Sequence, residues 1–258
     1  MSIRDSLLYV SLQKEGVAAG RVGDFEKALS CFEKLLELLK SKYGEDDYRL
    51  GPPLTNLGIQ YKNLGNLEKA IEIYKRTESL YVKEFGADFS GLGSVYINLG
   101  NVYRLNGDYN QAVEYQQNAY RILRFSDEKY RVLLETSKYN ISEIQLKLGH
   151  NKEAIQFAQS NVKSVSSRLK PRLYDLIATA YRNEGLFDLS EKYYLLAIKS
   201  WIELYGEENV ELATQYLSYS SFLISQRNYE KALVYSAKAK SIAFKYYGEK
   251  STMYAEVQ

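Results

Sequence analysis

Apolar positions recur along this chain at helical spacing, in paired blocks. Between Asn56 and Tyr74, Leu57, Tyr61 and Leu64 share one face before a glycine, and Leu67, Ala70, Ile71, Ile73 and Tyr74 form a second apolar face after it. Gly65, between the blocks, permits the positive backbone angle that ends a helix. The pattern predicts two helices joined by a short turn. Neither helix pair can bury its apolar face alone, so neighbouring pairs must stack to build a continuous core.

The block recurs along the sequence. NLGIQYKNLGNLEKAIEIY from residue 56, NLGNVYRLNGDYNQAVEYQ from 98 and NISEIQLKLGHNKEAIQFA from 140 are spaced by 42 residues. KEGVAAGRVGDFEKALSCF lies 42 residues earlier, at 14; LIATAYRNEGLFDLSEKYY follows at 176 after a step of 36, and SYSSFLISQRNYEKALVYS at 218 after another 42. This predicts six helix pairs, over about 5–44, 50–86, 91–126, 130–168, 171–206 and 211–248, with a seventh beginning over 250–258. Gly23, Gly65, Gly107, Gly149 and Gly185 each close a turn. Ala28, Ala70, Ala112, Ala154 and Ala232 follow five residues later, with Ser190 in the fifth pair. Gly16, Gly58 and Gly100 sit seven residues before the turn glycine, where a small residue lets two helix axes approach. Pro52, Pro53 and Pro171 fall at the starts of first helices, where a missing N–H costs little.

The register reads small residue, tyrosine, glycine, apolar residue, alanine, aromatic: Gly58, Tyr61, Gly65, Leu67, Ala70, Tyr74, and again Gly100, Tyr103, Gly107, Tyr109, Ala112. This resembles the tetratricopeptide repeat, and the resemblance covers nearly the whole chain. The usual period of that family is about 34 residues. Here the extra residues lengthen the helices and insert a connector, seen as SKYGEDD, KEFGADF, ELYGEEN and KYYGEKS. That longer form is similar to the repeats of kinesin light chains and of bacterial proteins that join such repeats to a caspase-like (CHAT) peptidase domain. The resemblance implies an all-α fold, a right-handed α-α superhelical solenoid running as one domain over 1–258. The fourth repeat departs from the pattern, with LRFSDEKY and the short SSRLKPRLYD at its connectors.

Composition narrows the chemistry. Lys plus Arg is 34 against 32 for Asp plus Glu, a net +2 over 258 residues, which gives no strong nucleic-acid footprint. One cysteine and one histidine exclude a disulfide framework, a cysteine-based zinc site and multi-histidine metal sites. His150 falls in a turn and Cys31 inside a second helix, three repeats apart, too far to act as a nucleophile and its base. No phosphate-loop, zinc-protease or nucleophile-elbow motif occurs. No catalytic residue, metal or cofactor is therefore expected. The N-terminal apolar run LLYV is too short for a signal peptide, and no stretch approaches a membrane span. A cytoplasmic protein without a membrane or nucleic-acid partner is expected. Tyrosine is abundant, at 25 residues. Tyr61, Tyr103 and Tyr181 share one register position and Tyr74 and Tyr194 another, as core packing, while Tyr43, Tyr205 and Tyr247 should pack the connectors.

The informative polar residues are Asn56, Asn98 and Asn140, at one register position of successive first helices; Lys14, Leu176 and Ser218 hold the equivalent place elsewhere. The resemblance implies that first helices line a concave groove and that this position points into it, as in the asparagine ladder with which family members hold peptides. A carboxamide both donates and accepts, so it can pair with N–H and C=O of an extended peptide whatever the peptide's side chains. Asn101 lies one turn from Asn98. Lys62, Arg104 and Arg182 share a position about two turns further on, with Arg21 and Lys147 one residue later. If these face inward, the groove favours acidic segments, although basic residues near a helix C-terminus also complement the helix dipole. The expected function is a non-catalytic scaffold binding a protein or peptide in this groove. The alternative is the regulatory arm of a longer enzyme such as a caspase-like peptidase, and the sequence after Gln258 would separate the two.

Overall fold

A computed structural model describes residues 2–248, apart from the side chain of Tyr247; the expected seventh pair over 250–258 lies outside the described residues. Twelve α-helices occur among the described residues: α1 (Ile3–Arg21), α2 (Phe25–Tyr43), α3 (Gly51–Asn63), α4 (Leu67–Phe85), α5 (Leu92–Leu105), α6 (Tyr109–Leu123), α7 (Arg131–Lys147), α8 (Asn151–Asn161), α9 (Lys170–Asn183), α10 (Phe187–Tyr205), α11 (Val210–Ser225) and α12 (Tyr229–Tyr247). Each repeat is thus one first helix and one second helix. Pro52 and Pro171 do sit in the first turns of α3 and α9. The short 3₁₀ turns Tyr48–Leu50, Glu128–Tyr130 and Val162–Ser164 occupy connectors, and the irregular fourth repeat has the shortest helix, α8. The helices divide into two compact units between Ser137 and Lys138, within α7.

Turn chemistry explains the pairing. The glycines predicted to close turns adopt left-handed backbone, as at Gly65 (φ +79°). The residue after the glycine caps the second helix: the side chains of Asp24, Asn66, Asp108 and Asn228 accept from the backbone N–H three residues on. In the sixth repeat the glycine position is taken by Arg227, which holds φ +59° and is the one non-glycine residue with positive φ among the described residues. Its turn closes with the same hydrogen bond, Asn228 N–H to Leu223 O at 2.9 Å.

Within a pair, helix approach depends on the small residue seven positions before the turn. A Cβ at Gly58 would lie 2.5 Å from Cε1 of Tyr74, and one at Gly100 would lie 2.6 Å from Nε2 of Gln116. In the second unit the same position carries a buried Ala178 and a Ser220 whose Oγ donates to Ala232 O at 3.0 Å. Cores form between pairs. Phe32, Leu35, Leu50, Leu54 and Leu57 form one in the first unit, and Tyr74, Leu92, Val95, Leu99 and Leu123 continue it. Tyr194, Trp201, Leu212, Tyr219 and Phe222 centre another in the second unit. Each fully buried leucine or phenylalanine contributes about 1.5–3 kcal/mol. Tyr74 and Tyr194 are fully buried, as their register predicts.

In each unit neighbouring first helices touch one another directly, α3 against both α1 and α5, and α9 against α11. Within each unit the first helices form a layer against which the second helices pack. This layering positions the candidate site.

Candidate functional site

On α5 every residue from Leu92 to Val102 is buried except Ser94, Asn98 and Asn101, and these three share a single stripe with the exposed Leu105. That is the i, i+4, i+7, i+11 spacing of one helix face. On α3 the stripe 42 residues earlier is Pro52, Asn56, Ile59 and Asn63. Asn56 and Asn98 therefore hold the same place on the accessible faces of two touching helices. Both are half-buried, and among the described residues neither carboxamide has a hydrogen-bond partner. A partly desolvated amide costs free energy unless it is paired, which makes these two side chains ready acceptors and donors for a ligand. Asn101 differs, since its Oδ1 already receives a long contact of 3.5 Å from Nε2 of Gln116.

The basic residues of the first unit flank this stripe. Lys62 is half-buried on α3, and its ammonium is pushed below its usual pKa, first by burial and then by the charge of Arg104 on α5. The structure thus brings Lys62 and Arg104 together, and an anion arriving beside them would relieve part of that cost.

In the second unit the candidates have other surroundings. Asn140 on α7 is 8% exposed, in contrast to its half-buried register mates. Lys147 is exposed in the last turn of α7. Arg182 on α9 lies near Asp175 and holds that carboxyl's pKa down, although burial, the larger effect, raises it. The charge of Arg182 is therefore partly offset by an acid of its own helix. His150 is exposed at the start of α8, with Nδ1 2.8 Å from Oε1 of Gln145, and Cys31 is a buried free thiol in α2.

The second unit also contains a cleft that sequence reasoning missed. It encloses about 510 Å³ and is lined by Arg168, Arg172, Asp175, Trp201, Gln215 and Ser218, among others. Arg172 and Thr214 correspond to Pro52 of the accessible stripe, and Ser218 to Asn56. Gln215 Nε2 donates to Asp175 Oδ1 at 2.8 Å, tying α11 to α9. Arg168 Nε donates to the Tyr205 hydroxyl at 2.8 Å, and the Arg172 guanidinium stands 5.0 Å from the Tyr139 ring. A signal was present in Arg168, Arg172 and Asp175, but no repetition at 42 residues marked them. Among the described residues no helix is long and apolar enough to cross a membrane.

Comparison with known proteins agrees with this architecture. Residues 11–82 and 91–160 match one family model described as tetratricopeptide repeat, and residues 171–200 match a second. No curated protein matches the chain in sequence. Among solved structures the chain is similar to BtubC (BKLC) from P. vanneervenii, with TM-score 0.70, 15% identity, and coverage of 79% of this chain and 84% of that one. It is similar to kinesin-light-chain TPR-like repeats from Podosopora anserina, with TM-score 0.68, 15% identity and coverage of 80% and 99%. It is also similar to YrrB, a TPR protein with an unusual peptide-binding site, with TM-score 0.52, 20% identity and coverage of 83% and 93%. At these identities the likeness is one of fold. The family-model matches over 11–82, 91–160 and 171–200, on helix pairs closed by left-handed turns in shared register, make the chain a member of the tetratricopeptide repeat family.

Proposed function

We propose that this chain is a non-catalytic scaffold that binds an extended peptide segment of a partner protein along the accessible faces of its first helices. The observation that carries this reading is the pair Asn56 and Asn98: same register, touching helices, half-buried carboxamides without a hydrogen-bond partner among the described residues. Such a pair can hold the N–H and C=O of a peptide backbone. Asn101 belongs to the same stripe, with less surface left to a ligand, and Asn140 holds the equivalent register position in the second unit. Lys62 and Arg104 would favour acidic segments on the first unit, Lys147 and Arg182 would do so more weakly on the second unit's own first helices, and that attraction falls as salt rises. The likeness to YrrB is consistent with peptide binding by this fold.

The test is an array of acidic and neutral extended peptides probed at low and high salt, followed by titration of the best binder. Replacing Asn98 with alanine should weaken binding by more than about 1 kcal/mol, the cost of leaving hydrogen-bonding groups unpaired. Unchanged affinity of Asn98→Ala would overturn the assignment.

A further inference from the structure

Beside the asparagine stripe, the first unit contains an aromatic cleft of about 390 Å³. Its walls come from the connector ends of four helices. Tyr9 of α1, Tyr43 of α2, and Tyr81 and Phe85 of α4 meet Tyr48 and Phe89 of the connectors. Phe85 and Phe89 stack with centroids 4.3 Å apart, and Tyr48 packs edge-on against Phe85 at 4.9 Å. Phe85 nevertheless remains 43% exposed. A cluster of rings held open in this way keeps apolar surface in water, which a soluble fold ordinarily removes. The volume is that of a ligand pocket.

The one charged lining residue, Arg49, is already engaged. Its guanidinium lies 4.1 Å from the Tyr43 ring centroid, and Nη1 is 3.5 Å from Oδ2 of Asp47. The cleft therefore offers rings and a neutralised rim, which suits an uncharged occupant. Pro52 also lines the cleft, and it begins the stripe that continues through Asn56. Pro52 and Asn56 are one helical turn apart, about 5.4 Å. An extended chain advances about 3.3 Å per residue. A peptide held at Asn56 thus has a side chain within two or three residues of the cleft mouth.

We propose that this cleft is an anchor site for one bulky, uncharged apolar side chain, aromatic or branched aliphatic, of a bound peptide. The site supplies sequence preference, which backbone pairing at the asparagines does not. The proposal rests on the peptide reading above for the course of the chain, but the cleft can be tested separately.

The probes are N-acetyl-tryptophanamide, N-acetyl-leucinamide, N-acetyl-alaninamide and N-acetyl-lysinamide, titrated against the whole chain and followed by NMR shifts of Leu39, Pro52 and Phe89. The tryptophan and leucine amides should give saturable shifts at these residues, at least ten-fold tighter than the alanine and lysine amides. Pro52→Glu places a carboxylate at the mouth from an exposed position in a helix's first turn, where an acidic residue is tolerated. It should weaken both binders ten-fold or more, and Phe89→Ala, which removes one wall, should do the same. These single-residue probes are too short to span the asparagine pair, whereas the Asn98→Ala titration uses an extended peptide, so a failed asparagine reading and a failed cleft reading give different results. Equal binding of all four amides, shifts mapping elsewhere, or wild-type binding by a folded Pro52→Glu variant overturns the anchor site. Bare indole binding as tightly as N-acetyl-tryptophanamide overturns the peptide as its source.

Discussion

The first helices of the two units share a repeat register but present different chemistry. In the first unit the accessible stripe carries Asn56 and Asn98, whose carboxamides have no hydrogen-bond partner among the described residues, and runs to an aromatic cleft. In the second unit the same position is filled by Asn140, which is 8% exposed, by Leu176, which is buried, and by Ser218, while other polar groups lie in a cleft around a half-buried Asp175 tied to Gln215. A repeat preserves the positions that pack pairs together and leaves the exposed stripe open to change. The contrast teaches that binding chemistry varies where the packing constraint is absent, even between copies of one unit.

The largest expected effect concerns the packing that the units share. Gly58→Val places atoms where Tyr74 already stands, 2.5 Å from a would-be Cβ. Overpacking of this kind costs about 3 kcal/mol, the upper end of the usual range, read as a lowered midpoint in urea unfolding. The equivalent Ala178 already accommodates a Cβ beside a buried Tyr194, so Ala178→Gly should cost only about 1 kcal/mol. Equal losses at the two positions would break the comparison.

Next comes ligand affinity. Asn98→Ala should cost a bound peptide about 1–3 kcal/mol by calorimetry, whereas Ser218→Ala, at the same register in the second unit, should cost nothing measurable. The opposite ranking would move the site to the second unit.

A third effect is specific to the second unit. Burial raises the Asp175 pKa, against the hydrogen bond from Gln215 and the charge of Arg182. A carboxyl raised above its unfolded value binds more protons when folded, so its contribution to stability is present below the unfolded pKa. That contribution is lost as pH rises through the folded value. Asp175→Asn keeps an acceptor for Gln215 and removes the ionisation. Its unfolding midpoint should fall less than that of the parent as pH rises above the ordinary carboxylate range. A parallel pH profile for the two proteins would assign the buried carboxylate no such cost.

The smallest effect is at the turns. Arg227 holds φ +59° where the other repeats have glycine, as at Gly185 with φ +74°. Left-handed backbone costs a non-glycine residue about 1 kcal/mol or more, and glycine loses part of that gain to unfolded-chain entropy. Arg227→Gly should therefore stabilise by about 0.5 kcal/mol and Gly185→Ala destabilise by about 1 kcal/mol, both read by thermal unfolding.

Much of the architecture was legible in the sequence because its determinants are local. A turn needs a left-handed residue, a cap needs a short polar acceptor, and a close crossing needs a small residue; each recurs at Gly65, Asn66 and Gly58 and their register mates. Arg227 escaped notice because a left-handed arginine carries no sequence mark. The asparagine set was visible through its spacing, yet spacing does not report burial. The packing around each site leaves Asn98 half-buried, Asn140 nearly enclosed and Arg182 close enough to Asp175 for their charges to interact. Neither cleft could be read in advance.

By itself, then, the sequence determined the repeat, its helix pairs, their turns and the family. Which polar side chains stay accessible, and where rings gather around open space, was decided by the tertiary structure. Turns and caps depend on residues a few positions apart, whereas Tyr9, Tyr43, Phe85 and Phe89 meet only after two repeats have stacked, and no local rule records that meeting.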